Sequence, residues 1–319
     1  MKMNAPISAL FDDGRLHLQH GPIDLIIEAF SDDSLEIAMA YEQASMRFSG
    51  LLSSLVLELK MLRTPLSNHF QLFDDSVAQR MARAVWPFRN EFITPMAAVA
   101  GAVADGVLQV LVAGRDLRRA YVNNGGDVAI HLSLGEQFEI GIASVEDAAL
   151  KSQFTIRAED HVRGIATSGW RGRSFSLGIA DSVTVLARTA AEADAAATMI
   201  ANAVNVDHPG IRRVPACEIQ TESDLGSLLV TRDVPILDSE SVRHALDVGE
   251  SKAQQYLDEK IIERVAIRLQ GQVRRIGNDH EITPLERCHS ERGEESAFTS
   301  LEKQILRCAQ NDMVLRNAT

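Results

Sequence analysis

The sequence predicts an α+β fold, and three observations carry that prediction. Runs with two-residue alternation and runs with apolar residues three or four apart occur in one chain, but without the strict strand–helix–strand repeat of a doubly wound sheet. The 319 residues are 45% hydrophobic and 24% charged, a globular composition with ample material for a core. Turn signals such as Gly21-Pro22 and Asn124-Gly125-Gly126 punctuate the strand-type runs.

The chain opens with a hairpin, Arg15 to His20 and Ile23 to Ala29 around Gly21-Pro22. Asp32, Asp33 and Ser34 offer N-caps for a long helix. Its apolar stripe runs through Leu35, Ala38, Tyr41, Phe48, Leu52, Leu55, Leu59 and Leu62, and Thr64-Pro65 ends it. A short helix is expected at Ser76 to Val85. Thr94-Pro95 then starts an Ala/Gly-rich helix that stops near Gly114. Its small side chains fit close approach by another backbone or by a flat ligand.

From Ala120 the period is that of strands. Candidates are Tyr121-Val122, Val128 to Leu134, Phe138 to Ile142, Phe154 to Ile156, Val162 to Ala166 and Val183 to Leu186. Thr189 with Glu192 three residues on reads as a capping box for an Ala-rich helix over Ala190 to Val204. A loop with Pro209, Gly210 and Pro215 precedes a strand at Leu228 to Thr231 and a helix from Ser239 to Leu257. Ile262 to Leu269 is expected as the final strand. The domain therefore spans residues 1–276. Residues 277–319 are polar without a sustained period and read as an appendage with no folding role, the alternative being an amphipathic helix over Leu301 to Cys308.

Charge and composition exclude several functions. With 32 Lys+Arg against 44 Asp+Glu the net charge is −12, which argues against nucleic-acid partners. No run reaches the ~18 uninterrupted apolar residues of a membrane span, so no membrane partner is expected. The start of the chain lacks the sustained apolar run of a secretory signal. Cys217, Cys288 and Cys308 lie too far apart for a disulfide framework or a zinc pattern, and a reducing cytoplasm is the simplest compartment. A homodimer is left open.

Three segments place glycine and polar residues where a core would want neither. In Asn123-Asn124-Gly125-Gly126-Asp127 the paired glycines allow close backbone approach to a ligand, but Asn-Gly is also the commonest hairpin signal. Arg163 to Ser174 combines three arginines, three glycines and hydroxyl residues. In an acidic protein that mixture suits an anionic ligand, with arginine forks on phosphate oxygens and Trp170 free to stack on a planar ring; a solvated loop is the alternative. Asp194, Thr198 and Asn202 share one face of the Ala-rich helix at i, i+4, i+8. A carboxylate and a hydroxyl one turn apart suit Mg²⁺ or Ca²⁺, and a plain polar face is the alternative. The scattered histidines form no metal-ligand spacing, and His20 is the one most easily placed in a site.

On these residues the chain resembles a bacterial and archaeal family related to the ApbE-like FAD:protein FMN transferases. The resemblance runs from about Arg15 to Ile276, through HGPIDLIIEA, TPMAAVAGAVADGVL, YVNNGGDVAIHL, RGIATSGWRGRSFSLGIADSVTVLA, ADAAATMIANAV, SDLGSLLVT and RLQGQVRR. It implies a T-fold-related, two-lobed architecture, with mixed or antiparallel sheets packed by helices and the ligand in a cleft. It also implies a flavin nucleotide, FAD or FMN, with Mg²⁺. Gly125-Gly126-Asp127 resembles the transferases' Gly-Gly-Asp turn, and Thr167-Ser168-Gly169 their Thr-Ser-Gly loop. Asp194 and Thr198 match their metal ligands, and Gly101 with Asp105 their Gly-x-x-x-Asp segment. Asn124, Gly125, Gly126, Asp127, Thr167, Ser168, Gly169, Arg171 and Arg173 are thus the expected flavin-nucleotide contacts, and Asp194 and Thr198 the expected metal ligands.

Two departures matter. The lysine usual before the family's glycine is Ala100 here, and Arg173 to Val183 carries no histidine where the transferases have a His-rich segment. Three readings follow: a metal-dependent flavin transferase or pyrophosphate-cleaving protein, a non-catalytic module for a phosphorylated metabolite, or an enzyme acting on a pterin-like cofactor.

Overall fold

The computed structural model describes residues 5–142, 152–277 and 313–316. In chain order the strands and helices are β1 (Ile7–Leu10), β2 (Leu16–His20), β3 (Ile23–Phe30), α1 (Ser34–Leu57), α2 (Leu59–Leu62), α3 (Ser76–Val85) and α4 (Val99–Val112). They continue with β4 (Arg119–Asn124), β5 (Asp127–Leu132), β6 (Gln137–Ile142), β7 (Ser152–Arg157), β8 (Gly164–Ser168), β9 (Ser182–Ala187) and α5 (Ala190–Ala203). The rest are β10 (Arg212–Pro215), α6 (Ala216–Ile219), β11 (Leu229–Asp233), α7 (Ser239–Asp258), β12 (Arg264–Leu269), β13 (Gln272–Ile276) and β14 (Met313–Arg316).

The chain divides into two compact units, residues 1–131 with 161–278, and residues 132–160 with 279–319. The first holds a nine-stranded sheet of order β1-β2-β3-β4-β5-β8-β9-β12-β13, whose described registers are antiparallel, and a small β10-β11 ribbon. The second holds a three-stranded sheet of order β14-β6-β7. Apart from Gly277 and β14, the expected appendage, residues 277–319, lies outside the described residues. The fold class is the α+β class that the sequence predicts.

One face of the large sheet carries the helices. α1 lies over β2 and β3, α4 over β4, α5 over β8 and β9, and α7 over β12 and β13. The strands are patterned for this: β3 buries Ile23, Leu25, Ile27 and Ala29 at every second position. These side chains join Phe48, Leu51, Val103, Leu111, Val185 and Ile200 in one core. Burying such surface contributes roughly 25 cal/mol per Å² of apolar area.

The Ala/Gly-rich helix is used for close backbone packing. A Cβ on Gly101 of α4 would lie 2.2 Å from the carbonyl oxygen of Ala190 at the start of α5. Gly164 of β8 presses on the same turn, where a Cβ would lie 1.9 Å from the carbonyl carbon of Thr189. Pro95–Val112 is apolar and long enough to cross a membrane by composition alone. Here it packs among α1, α3, α5 and β4.

In the first unit three strands differ from the expectations. β1 precedes the expected first hairpin and is exposed along its whole length, so no burial pattern marks it. β10 forms inside the expected loop, and the proline at its end limits its pairing to the edge of a ribbon. Ile262 to Leu269 is not the final strand of its unit: Gln270 and Gly271, at φ 45° and 79°, turn the chain into β13. Gln-Gly is a poor hairpin signal beside Asn-Gly, and Gln272-Val273-Arg274-Arg275 has no apolar face to announce a strand.

Candidate functional site

All the candidate residues lie in the first unit, around the β4–β5 connection. β4 ends at Asn124 and β5 starts at Asp127, so Gly125-Gly126 is the whole connection. The two glycines take φ 61° and 107°, the left-handed pair that a two-residue hairpin needs and that glycine adopts without steric cost. The segment is thus a hairpin turn, and its chemistry sits in the residues flanking the glycines.

Strand register decides which way those residues face. Asn124 lies opposite Leu25, a core residue of β3. Val128 faces Ile165 and Ala129 faces Gly164, so Asp127 shares the helix side with Ala129 and Ala166. Asn124 Nδ2 accordingly donates to the carbonyl oxygen of Ala100 at the start of α4, at 3.1 Å. Period two also separates the two hydroxyl residues of β8. Thr167 reaches Asp127 only through its backbone N–H, 3.1 Å from Oδ1, while its own hydroxyl pairs with Thr184 at 2.9 Å. Ser168, opposite Val183, is on the helix side.

Beneath the turn the two Ala-rich helices exchange caps. Asp194, in the second turn of α5, accepts from the N–H of Gly101 in α4 at 3.0 Å, and the N–H of Ala100 also bonds it. Asp105 of α4 accepts from the N–H groups of Ala190 and Ala191 at the start of α5, at 3.1 and 2.9 Å. Helix starts leave such donors unsatisfied, and the two carboxylates supply acceptors.

Burial makes these carboxylates reluctant to ionise. It pushes Asp105 up to about 6, against the pull of the Ala191 and Ala190 amides. It pushes Asp194 up to about 7, with the charge of Asp105 adding to the effect and the Gly101 and Ala100 amides opposing it. Asp127 is held well above the carboxylate range by burial first and by the charge of Asp194 second. The Thr167 amide and the Arg173 guanidinium pull it back. Asp127 and Asp194 therefore lie close enough to repel each other in a low-dielectric setting.

The arginine-rich loop is fixed by one residue that the sequence did not single out. Asp181 Oδ1 accepts from Arg171 Nε at 2.8 Å and from Trp170 Nε1 at 3.3 Å, and its Oδ2 accepts from the backbone N–H of Gln270 at 2.5 Å. Trp170 N–H also bonds Ala180 O at 3.0 Å. Gly169 packs so tightly that a Cβ would lie 2.5 Å from Asp181 O. Arg171 lies 5.0 Å over the Trp170 ring, so one ring face is already covered. Arg173 reaches the turn, where Nη2 donates to Gly125 O at 3.4 Å. Arg163 stands before β8, at the other end of that strand.

The polar stripe on α5 has split roles. Thr198 is partly buried one turn beyond Asp194 and makes no side-chain hydrogen bond among the described residues. Asn202 is structural, because its Oδ1 accepts from Leu177 N–H at 2.9 Å and Ser176 Oγ at 3.3 Å. His20 is buried edge-on to Phe48, with neither ring nitrogen bonded. Among the described residues no group of three or more His, Cys, Asp or Glu side chains is arranged to hold a metal. Any cation here would rest on one or two carboxylates with a hydroxyl, which is how Mg²⁺ sits when substrate phosphates complete its shell.

Known proteins share parts of this chain. A model of the family described as AbpE bacteria matches residues 8–275. A UPF0280 protein of Methanopyrus kandleri is 38% identical over 133 residues, covering 42% of this chain and 51% of that protein. A UPF0280 protein of Methanococcoides burtonii is 38% identical over 121 residues, covering 37% and 49%. The chain thus spans about half the length of these curated relatives. Among solved structures, the flavin transferase ApbE from Vibrio cholerae aligns over 86% of this chain and 97% of its own, at 14% identity and a TM-score of 0.38.

Proposed function

The chain belongs to the family described as AbpE bacteria, and on that premise we propose that it binds a flavin nucleotide, FAD or FMN, together with Mg²⁺. The observation that carries this reading is geometric: Asn124 beside the Gly-Gly turn bonds Ala100 O and Asp194 accepts from the neighbouring Gly101 N–H, so the turn that ends in Asp127 and the Asp194 carboxyl meet at the start of α4. Removing a charge from water without a partner is costly, so such a pair suits a divalent cation. Asp194 and Thr198 would hold the metal, with Asp127 as a further oxygen donor. The metal, when bound, would neutralise phosphate charge and act as a Lewis acid toward a pyrophosphate. The Arg173 guanidinium lies against Gly125, so a phosphate approaching the turn would meet that guanidinium. Arg171 serves the loop through Asp181. Asn124 fixes the turn to the start of α4.

Calorimetric titration of FAD with and without Mg²⁺ tests the reading. Wild type should bind FAD in a Mg²⁺-dependent way. Asp194→Asn keeps an acceptor for the Gly101 amide but removes the charge, and should lower the affinity by about tenfold or more while leaving the fold intact. Unchanged Mg²⁺ dependence in the variant would remove the metal assignment.

A second reading, a binding module without turnover for a phosphorylated metabolite, has its own support. No histidine bonds to Asn124–Asp127, Thr167–Arg173 or Asp194 among the described residues. Binding of FAD without its consumption over hours, measured by chromatography, would favour it.

A further inference from the structure

The two edges of the large sheet are finished differently. At one edge β13 carries Arg274 and Arg275, and Arg274 is held by Asp247 and Glu250 of α7 at 3.7 and 3.2 Å. Charges of this kind block the pairing of a further strand. At the other edge β1 has no such guard. From Ala5 to Phe11 the chain holds no charged residue. Every residue of β1 is exposed, Ile7 by 53% and Leu10 by 64%. Among the described residues no strand pairs with its outer side.

The ladder to β2 fixes which main-chain groups are left over. Leu10 lies opposite Leu16, so Phe11 comes opposite Arg15, and Phe11 N–H donates to Arg15 O at 2.8 Å. Antiparallel ladders alternate between hydrogen-bonded and non-hydrogen-bonded pairs. Ile7, Ala9 and Phe11 therefore bond inward to β2, and the N–H and C=O groups of Ser8 and Leu10 point away from it. Such a row is a template for one more strand.

We propose that β1 is where a second copy of this chain docks, pairing antiparallel with its own β1 about a two-fold axis at Ala9. In that register Ser8 of each copy faces Leu10 of the other, and the outward donors and acceptors satisfy one another entirely within Ile7–Leu10. Ala9 meets itself in a non-hydrogen-bonded pair, where side chains come closest, and a methyl group fits there. The charge pattern is what selects a second copy. Asp12 follows directly on the uncharged run, and in this register it is level with Pro6 of the other copy. The two Asp12 residues are then about 20 Å apart along the strands. The acidic ends of a chain of net charge −12 are thus kept away from each other. Beside β1, Ser8 Oγ lies 3.5 Å from Ser45 Oγ of α1, and the adjacent Met46 is exposed and adds apolar surface to the same border. So short a seam makes a small interface, and small interfaces come apart on dilution.

Sedimentation velocity of the full chain, from about 1 to about 200 μM, tests the pairing without any ligand. Wild type should pass from monomer to dimer over that range. Ser8→Pro removes an outward donor and no bond to β2, and should weaken the dimer by about tenfold or more. Ala9→Lys and Ala9→Glu each place like charges on the axis, and each should stay monomeric where wild type is dimeric. An equimolar mixture of the two should dimerise again, because the axis then joins opposite charges. Circular dichroism and Tm close to wild type show that the exposed Ala9 position tolerates both changes. Three results overturn the proposal: a wild type that stays monomeric throughout, a dimer indifferent to both Ala9 variants, or a mixture of the two variants that remains monomeric.

Discussion

The N-termini of α4 and α5 meet in the core and are satisfied in different ways. α5 has a cap of its own: Thr189 Oγ1 accepts from Glu192 N–H at 3.1 Å, and Asp105 of α4 adds acceptors for Ala190 and Ala191. α4 follows a 3₁₀ turn, Pro95–Ala98, and its N-cap position, Ala98, offers no side-chain acceptor. Its Gly101 amide relies on Asp194 of α5. One helix start is therefore doubly supported and the other depends on a residue that also belongs to the candidate site. In the proposed reading Asp194 serves both metal binding and stability, whereas Asp105 is bound to structure through both oxygens. A charge-removing change at Asp194 must keep an acceptor if the two roles are to be told apart.

The close approach of these helix starts gives the largest expected effect. Gly101→Ala puts a Cβ 2.2 Å from the Ala190 carbonyl oxygen, and backbone on both sides leaves no flexible group to give way. A loss of about 3 kcal/mol or more is expected, seen as a fall in Tm of roughly 6–12 °C. Gly50→Ala is the control. It lies inside α1 with nothing within 4 Å of a new Cβ, and should stabilise by about 0.5–1 kcal/mol. Urea unfolding of the two variants measures both. A neutral Gly101→Ala would mean that the helices can separate at little cost, and the shared-cap arrangement would lose its geometric basis.

Much of the framework is legible in the sequence, because local signals dictate it. The Ser76–Val85 helix follows from its pattern, and Asp33 and Thr189 cap as their positions imply. The capping box at Thr189 is half made: the hydroxyl bonds Glu192 N–H, but the Glu192 carboxylate pairs with Arg188 at 3.2 Å. The exchange of caps is not legible, because Asp105 meets Ala190 across 85 residues and Asp194 meets Gly101 across 93. A resemblance to a known motif marks Asp105 and Asp194 as worth attention without saying what they bond. Asp181 carries no local signal at all, since its partners Arg171 and Gln270 lie 10 and 89 residues away. Register is the other missing piece. Thr167 and Ser168 are adjacent in sequence, and only strand pairing shows that their side chains leave the sheet on opposite faces.

Electrostatics gives a smaller effect, in which two forces on Asp105 compete. The helix N-terminus favours an ionised carboxylate, and burial opposes it. Burial prevails, since the group is pushed up to about 6. The folded chain then holds this proton more tightly than the unfolded chain between about pH 4 and pH 6. Stability from this group is complete below about pH 4, falls as pH rises to about 6, and is flat above. Asp105→Asn removes the titration and keeps one acceptor. The stability of wild type minus that of Asp105→Asn should therefore shrink by about 2–3 kcal/mol between pH 4 and pH 7. Titrations of groups that do not feel the Asp105 charge cancel in that difference, whereas Asp194, which that charge raises, contributes to it. A gap that widens with pH would show that the helix dipole outweighs burial.

The smallest expected effect falls on the doubly supported helix start. Thr189→Ala removes the acceptor for Glu192 N–H, and N-cap losses usually cost about 0.5–2 kcal/mol. Asp105 still holds the Ala190 and Ala191 amides, so the loss should stay at the low end, about 0.5–1 kcal/mol. A threonine hydroxyl does not titrate, so the loss should be the same at pH 4 and pH 7, unlike that of Asp105→Asn. Asp194 is not touched, so Mg²⁺-dependent FAD binding should also be unchanged. Urea unfolding at the two pH values, with FAD titration alongside, measures all three quantities. A loss above about 2 kcal/mol would mean that Asp105 contributes little to this helix start. The two termini would then each depend on a single acceptor, one local and one remote, and the asymmetry between them would reduce to the distance along the chain from which that acceptor comes.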